Sequence, residues 1–401
     1  MAQVLCPDHS CQQAVIRVNA ERAANGLKPA SPDTGAYCKA RDRLPEELIH
    51  KLVCASGFNL EQAAPAEWRW KKRHVKLIDG STISMPDTAE NQEEYPKQSE
   101  QKPGLGFPIA RVVGVLSLTI GSVLDLAIAP YKGKLTGEHA LLRQLLHCFS
   151  EGDIALADAY YCSYFLIANL HKMGVDIICR LHGARGSDFR RGKRLGNGDH
   201  IVTYLRPSRP SWMDDETYSK IPETFQVREV KVAIDIPGFR TKSIVVVTTI
   251  LCSSCATSDE LADLFRQRWH VELDLRSIKD TMKMAILRCK KPSMVRKEIW
   301  THLLAYNLLR KIIAEAAFKH KLKPRQVSFK GSMQALNVFR FVWIYNPNLD
   351  SRALYEMMLD QIANIRVGDR PDRVEPRARK RRDNRYPNLN VPRAKARAAL
   401  M

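Results

Sequence analysis

The sequence predicts an α/β protein, and three observations carry that prediction. The apolar period changes from helical to strand-like near residue 70. From there to residue 182, strand-like and helical segments follow in the order β-β-β-α-β-α-β. Two of the strand-like segments hold an acid, Asp79 and Asp158, at strand positions.

Residues 1–70 read as helices. Ser10 to Asn25 carries Ala, Val and Ile at helical spacing, Ser31-Pro32-Asp33 caps a second helix with Pro in its first turn, and Pro45-Glu46-Glu47 opens a third that runs to about Ala55. Arg17, Arg22, Lys39, Arg41 and Arg43 on these helices make either a helix-turn-helix-like DNA reader or a plain bundle with a solvated basic face. The chain starts abruptly, close to apolar sequence, which leaves room for an N-terminal helix missing ahead of it. Val75 to Met85 is a strand with Asp79 inside it. Ile109–Ile120 and Val123–Ala129 are strands joined at Gly121-Ser122, a hairpin signal. Thr136–Ser150 is a helix, Asp153–Asp158 a short buried strand, Ser163–Lys172 a helix and Asp176–Leu181 a strand. That is the order of a ribonuclease-H-like core, assigned to residues 71–182 and 251–320. Residues 183–250 interrupt it with a β-rich insertion behind a loop of Gly and Arg, with strand-like pieces at His200–Leu205, Phe225–Ile234 and Ser243–Leu251. Helices return at Ser258 to about Met284 and Ser293 to about His320, and residues 321–366 form a C-terminal helical region. The basic C-terminal tail, 367–401, is expected to be disordered: from Arg370 on it holds 11 Lys or Arg, 3 acids and four prolines.

Charge narrows the partner. Lys and Arg total 63 against 43 acids, a formal net charge of +20, which calls for a polyanion. Nucleic acid is the first candidate and an anionic membrane surface the second, the latter weakened because no apolar run reaches about 18 residues. The N-terminus shows no signal peptide, and the ten scattered cysteines are expected to be free thiols in a reducing cytoplasm. Cys252-x-x-Cys255 has no second pair or histidine pair at zinc spacing. No Walker loop, Ser/His/Asp set or nicotinamide fingerprint is present, which removes those enzyme classes.

The helix from Ser258 is the most informative segment. At about 100° per residue, Phe265, Arg268, Glu272, Arg276, Lys279 and Lys283 share one arc, beside an apolar stripe of Leu264, Val271, Leu275, Ile278 and Met282. One acid among four bases suits a place where a metal ion and a phosphate backbone meet. The plain alternative is a solvated helix with ion pairs Arg268–Glu272 and Glu272–Arg276.

Phe265-x2-Arg268-x3-Glu272-x6-Lys279 resembles the Tyr-x2-Arg-x3-Glu-x6-Lys signature of bacterial insertion-sequence DDE transposases of the IS-four family, with Phe for Tyr at the first position. Leu77 to Thr82 (LIDGST) resembles that family's first-Asp strand and Leu156 to Tyr164 (LADAYYCSY) its second-Asp motif. The resemblance covers most of residues 70–320. It implies a DNA transposase that cuts and rejoins element ends (cut-and-paste DNA transposition and recombination). Its catalytic and metal-binding triad would be Asp79, Asp158 and Glu272. It implies two Mg²⁺ ions with Mn²⁺ as substitute, element terminal repeats and target DNA as partners, and a dimer in the DNA complex.

Within that frame Arg268 and Lys279 grip phosphates beside the scissile bond, Arg276 and Lys283 add to the DNA contact, Phe265 keeps the ring of the signature, and Trp269 either stacks on an unstacked base or is a half-buried aromatic at the edge of the core. Arg185, Arg190, Arg191, Lys193 and Arg194 form a basic loop against DNA or a solvated surface excursion. Competing acids read as structural: Asp87 as a turn residue, Asp153 as a cap at a strand start, and Asp125, alternating with Leu124 and Leu126, as facing out of its strand. Two rival readings share the fold. One is an inactive or domesticated DNA-binding protein, the other a ribonuclease-H-like nuclease that cleaves without joining.

Overall fold

The computed structural model describes residues 3–5, 8–98, 105–234, 242–346, 348–368 and 389–400. Three helices come first, α1 (Cys11–Ala24), α2 (Gly35–Arg43) and α3 (Glu46–Ala63). Then follow β1 (Val75–Ser84), α4 (Ala89–Glu94), β2 (Ile109–Ser117), β3 (Val123–Pro130), α5 (Glu138–Gln144), β4 (Ile154–Ala157), α6 (Tyr164–Lys172) and β5 (Asp176–Arg180). The middle of the chain adds β6 (Lys193–Gly196), β7 (Asp199–Leu205), α7 (Asp215–Ser219), β8 (Thr224–Ala233) and β9 (Ser243–Thr248). The remaining helices are α8 (Ser258–Gln267), α9 (Trp269–Arg276), α10 (Pro292–Lys319), α11 (Phe329–Tyr345), α12 (Ser351–Asn364) and α13 (Arg393–Ala398). The protein is therefore a mixed α/β fold around one large sheet.

That sheet has nine strands in the order β3-β2-β1-β4-β5-β9-β8-β7-β6. β4 runs parallel to β5, with Ile154 opposite Asp176 and Ala157 opposite Cys179. β9 lies antiparallel on the other side of β5, with Cys179 opposite Val247. β8, β7 and β6 continue antiparallel. The insertion thus extends the sheet that β4 and β5 begin. Its sequence explains why: Val245, Val246 and Val247 form a β-branched run that fits a pleated, buried surface.

The chain divides into two compact units. One comprises Met1–Val75, Gly114–Leu126 and His270–Gly368; the other comprises Lys76–Val113, Ala127–Trp269 and Asp369–Met401. In the first, α3 lies along α10, and buried Asn307 of α10 ties α3 to the β2–β3 turn. Its amide donates to the carbonyls of Val53 (3.1 Å) and Val123 (2.9 Å), and its oxygen accepts from Val123 N at 2.8 Å. Gly57 permits that approach, because a Cβ there would collide with the Val123 carbonyl. Asp274 of α9 has no solvent exposure. Both its oxygens accept from Arg325 Nη1 (2.7 and 2.8 Å), and Arg310 of α10 pairs with it too. Arg325 also donates to the carbonyls of Leu118 (2.7 Å) and Ser117 (2.9 Å) at the β2–β3 turn.

In the second unit, Arg228 of β8 is fully buried and bidentate to Asp199 of β7 (2.8 and 2.6 Å). Arg228 also donates to the Ala256 carbonyl (2.6 Å), and Ser258 at the start of α8 donates to Asp199 (2.8 Å). These bonds fasten the insertion strands to the helix that leads toward Glu272.

Several local expectations need correction. Asp33 accepts from Gly35 N (3.1 Å), while Thr34 holds the N-cap position of α2. α3 continues past Ala55 to Ala63, because Ser56-Gly57 serves packing and not termination. The helix expected over 136–150 is shortened to α5 plus a 3₁₀ turn, Leu146–Cys148. Asp125 does not face out: it is buried and bonded to His50 Nε2 of α3 at 2.7 Å. Asp153 is more than a cap, since it pairs with the buried Lys76 ammonium and accepts from Ser150 N at 2.7 Å. Residues 369–388 of the tail lie outside the described residues. Arg393–Ala398, in the segment expected to be disordered, is helical.

Removing one partner from a buried ion pair leaves an uncompensated charge, at about 3–5 kcal/mol. Asp274→Asn, which strands two guanidiniums in the helical unit, is expected to lower unfolding free energy by that amount in urea denaturation. Substitution of the exposed Asp263 should leave it unchanged.

Candidate active site

Asp79 and Asp158 reach the same sheet region through buried apolar strands. In β1, residues 75 to 78 are buried and Asp79 is the first to emerge. Lys76 in that buried run is neutralised by Asp153 and donates to the Cys148 carbonyl at 2.6 Å. β4 is buried along its whole length, and Asp158 follows it at once. There Asp158 caps a 3₁₀ turn, Ala159–Tyr161, by accepting from Tyr160 N at 2.8 Å. Asp79 Oδ1 accepts from Gly80 N at 2.9 Å. β1 and β4 are neighbours in the sheet, so Asp79 stands on one strand and Asp158 directly after the end of the next.

Their charges meet at one phenol. Tyr161 has no solvent exposure and donates to Glu138 Oε2 at 3.1 Å. Burial first, then the carboxylates of Glu138, Asp79 and Asp158, push its hydroxyl far above the usual tyrosine range. Glu138 was not singled out from the sequence. An acid in the first turn of a helix is favoured by the helix dipole and so carries no distinguishing local signal.

The helix expected from Ser258 to Met284 is three pieces. α8 opens with a capping box between Thr257 and Glu260. α9 follows, then a wider π turn, Ser277–Thr281, and Lys283 has the left-handed φ of +58°. The single arc assumed ideal α geometry throughout. The π turn shifts the angular place of Lys279, and the positive φ takes Lys283 off the arc. Glu272 and Arg276 remain on α9, with Glu272 half-buried and Arg276 exposed.

Within the sheet-containing unit, Phe265, Arg268 and Trp269 line a cavity of about 760 Å³ together with Asp158, Arg180 and Ile244. Trp269 keeps 51% of its surface exposed there. The structure thus brings three of the predicted DNA-contacting residues together with the second aspartate. The basic segment is less uniform than expected. Arg185 stacks 4.4 Å from the Tyr204 ring centroid, and Asp188 pairs with Arg190 (2.8 Å) and Arg191 (3.4 Å). Lys193 and Arg194 belong to edge strand β6 and not to a loop.

Away from this region, His50 and Cys54, one turn apart on α3, converge on Asp125. Burial and Asp125 push the Cys54 thiol up to about 12. The Cys252-x-x-Cys255 pair is exposed, and the Cys255 N–H donates to Cys252 Sγ at 3.2 Å. Hydrogen bonds from Cys255 and Ser254 lower the Cys252 thiol to about 7. Cys252 is therefore expected to be alkylated first by iodoacetamide, with a rate that rises through pH 7 as the thiolate forms. Mass-spectrometric mapping at pH 6 and 8 checks this, and equal labelling of buried Cys148 would contradict it.

Residues 70–308 match the family model described as "Transposase DDE domain". The chain is 27% identical over 363 residues to the transposase InsG for insertion sequence element IS4 of Escherichia coli (strain K12), covering 88% of this chain and 77% of that protein. It also resembles piggyBac transposase in a cryo-EM structure of its synaptic complex with hairpin DNA, at 12% identity and a TM-score of 0.41. That likeness covers 75% of this chain and 59% of that one.

Proposed function

This chain belongs to the DDE-domain transposases of the IS4 kind, and from that premise we propose that it carries out cut-and-paste DNA transposition with Asp79, Asp158 and Glu272 as its catalytic carboxylates. It is a DNA transposase, a polynucleotidyl transferase of a family that uses divalent metal ions. The observation that carries the residue assignment is the placement of Asp79 on β1 and of Asp158 directly after the neighbouring β4, followed along the chain by the spaced Phe265–Arg268–Glu272–Lys279 set.

We read the first five strands as a ribonuclease-H-like core. The order β3-β2-β1-β4-β5 and the parallel β4–β5 pair support that reading. Three carboxylates are hard oxygen donors that suit two Mg²⁺ ions, or Mn²⁺ in their place. Such ions, when bound, activate the attacking oxygen and stabilise the leaving oxygen of an in-line displacement. The chain's own groups do the rest. Arg268 and Lys279 hold the phosphates beside the scissile bond. Trp269, exposed in the cavity beside Asp158, offers a face for a base pulled out of the stack. Arg276, Lys283, Arg185, Arg190, Arg191, Lys193 and Arg194 meet the flanking backbone. The partners are the element's terminal repeats and target DNA, engaged as a dimer in the cytoplasm. Among the described residues no helix is long and apolar enough to cross a membrane.

Glu272→Gln keeps the shape of the side chain and removes the charge that holds a divalent ion. Cleavage of a duplex taken from the DNA flanking the gene is expected to fall about 10³-fold while gel-shift affinity is retained. Lys279→Ala should instead weaken end binding about tenfold and leave activity recoverable at high DNA concentration. Near wild-type cutting by Glu272→Gln would remove Glu272 from the site. Joining of a pre-cut end to a target plasmid distinguishes transposition from cleavage alone.

Affinity for end DNA should fall steeply with salt. Neutralising Arg190, Arg191, Lys193 and Arg194 should reduce the log–log slope by about 0.9 for each phosphate that these cations neutralise. An unchanged slope would mean that this segment does not touch the backbone.

A further inference from the structure

Glu138 has a place that an ordinary first-turn acid does not. It opens α5, and its carboxyl group lies against β1 beside Asp79. A Cβ on Gly80, the residue after Asp79, would sit 2.5 Å from Glu138 Cδ and 2.7 Å from each of its oxygens. A side chain at position 80 would push that carboxyl group out of its place. On its other side, Glu138 Oε2 accepts the hydroxyl proton of Tyr161 at 3.1 Å. Tyr161 is fully buried and closes the 3₁₀ turn that Asp158 caps. One carboxyl group therefore braces the backbone next to the first aspartate and holds the turn built on the second. A helix-dipole acid has no need of either contact, and its usual place is in solvent; Glu138 is half-buried.

We propose that Glu138 is a positioning residue for strand cleavage, which sets the spacing of Asp79 and Asp158 through Gly80 on one side and Tyr161 on the other. The inference rests on the reading of Asp79 and Asp158 as the metal-binding carboxylates. It assigns to Glu138 no contact with the metal or the DNA. Groups that orient metal ligands from behind commonly change metal affinity or activity 10- to 100-fold when removed. The glycine at position 80 and the tyrosine at position 161 belong to the same device: the first makes room for the carboxyl, the second aims it. A tyrosine hydroxyl has one proton to give, so the bond fixes which carboxyl oxygen faces the turn.

The test uses the full-length chain and two readouts. One is Mn²⁺ binding without DNA, followed by the decrease of the free-ion electron paramagnetic resonance signal. The other is the Mg²⁺ concentration for half-maximal cleavage of the flanking duplex. Glu138→Ala and Gly80→Ala should each weaken Mn²⁺ binding by about 10- to 100-fold and raise the Mg²⁺ midpoint in proportion. Tyr161→Phe, which removes one oxygen and no packing, should move both in the same direction and answers the question if Glu138→Ala does not fold. Glu138→Gln still accepts the tyrosine proton and should stay within about threefold of wild type. If Glu138→Gln is as impaired as Glu138→Ala, the charge matters more than the brace, Glu138 is itself a ligand, and the positioning role is overturned. If Glu138→Ala and Tyr161→Phe match wild type while Asp79→Asn and Asp158→Asn abolish Mn²⁺ binding, the inference fails and the aspartate reading stands. If Asp79→Asn and Asp158→Asn bind Mn²⁺ as wild type does, the aspartate reading itself fails.

Discussion

A carboxylate with no solvent exposure, Asp274, is held in the helical unit by Arg310 and Arg325, and that contact anchors α9 there. Arg325 extends it to the carbonyls of Ser117 and Leu118, so the helix and the β2–β3 turn share one anchor. Gly121 in that turn is required twice over. Its φ is +83°, and a Cβ there would sit 2.8 Å from the Arg310 guanidinium carbon. Glu272 lies two residues before Asp274, about 200° around an ideal helix. Fixing Asp274 inward therefore turns Glu272 away from the anchor. A structural acid and the acid proposed as catalytic thus take different faces of one short helix.

The sheet-containing unit uses the same device in other places. Arg228 is matched by Asp199, and Lys76 by Asp153, each pair deep in the fold. A buried ion pair adds little net stability compared with apolar packing, but it penalises any arrangement that separates the partners. Here the penalty keeps β7, β8 and the start of α8 in register, and keeps β1 against the segment before β4. Because Lys76 and Arg228 are neutralised internally, neither presents charge to solvent. The basic surplus of the chain is thus carried by exposed cations such as Lys193, Arg194 and Arg276, where a polyanion can reach it.

The insertion has a structural consequence beyond its length. Because β9 pairs with β5, the insertion strands carry Val232 and Ile244 to the wall of the cavity that also holds Asp158, Phe265, Arg268 and Trp269. Apolar faces and three guanidiniums, Arg180, Arg266 and Arg268, in one cavity suit a planar group attached to an anion. An insertion folded as a separate body would have left Asp158 open on that side.

What the sequence determined by itself was local and periodic. The strand runs of β1, β4 and β5, the helices that begin at Ser10 and Ser163, the Gly121-Ser122 turn and the helix of α10 follow from side-chain period and turn chemistry, which act over a few residues. Asp79, Asp158 and Glu272 could be singled out because the motifs around them resemble those of a known transposase family. Tertiary structure decided the rest, through contacts between residues far apart in the chain. Nothing near Asp125 or Asp153 announces His50 or Lys76 as partner, so both acids looked exposed or local until the fold buried them. Asp274 carries no local signal in the sequence, because its partners lie 36 and 51 residues away. The break in the helix after Ser258 came from a π turn and a left-handed Lys283, which an ideal 100° step does not foresee. Glu138 stayed unnoticed because its meaning depends on Gly80 and Tyr161, which join it only once β1 and β4 lie side by side.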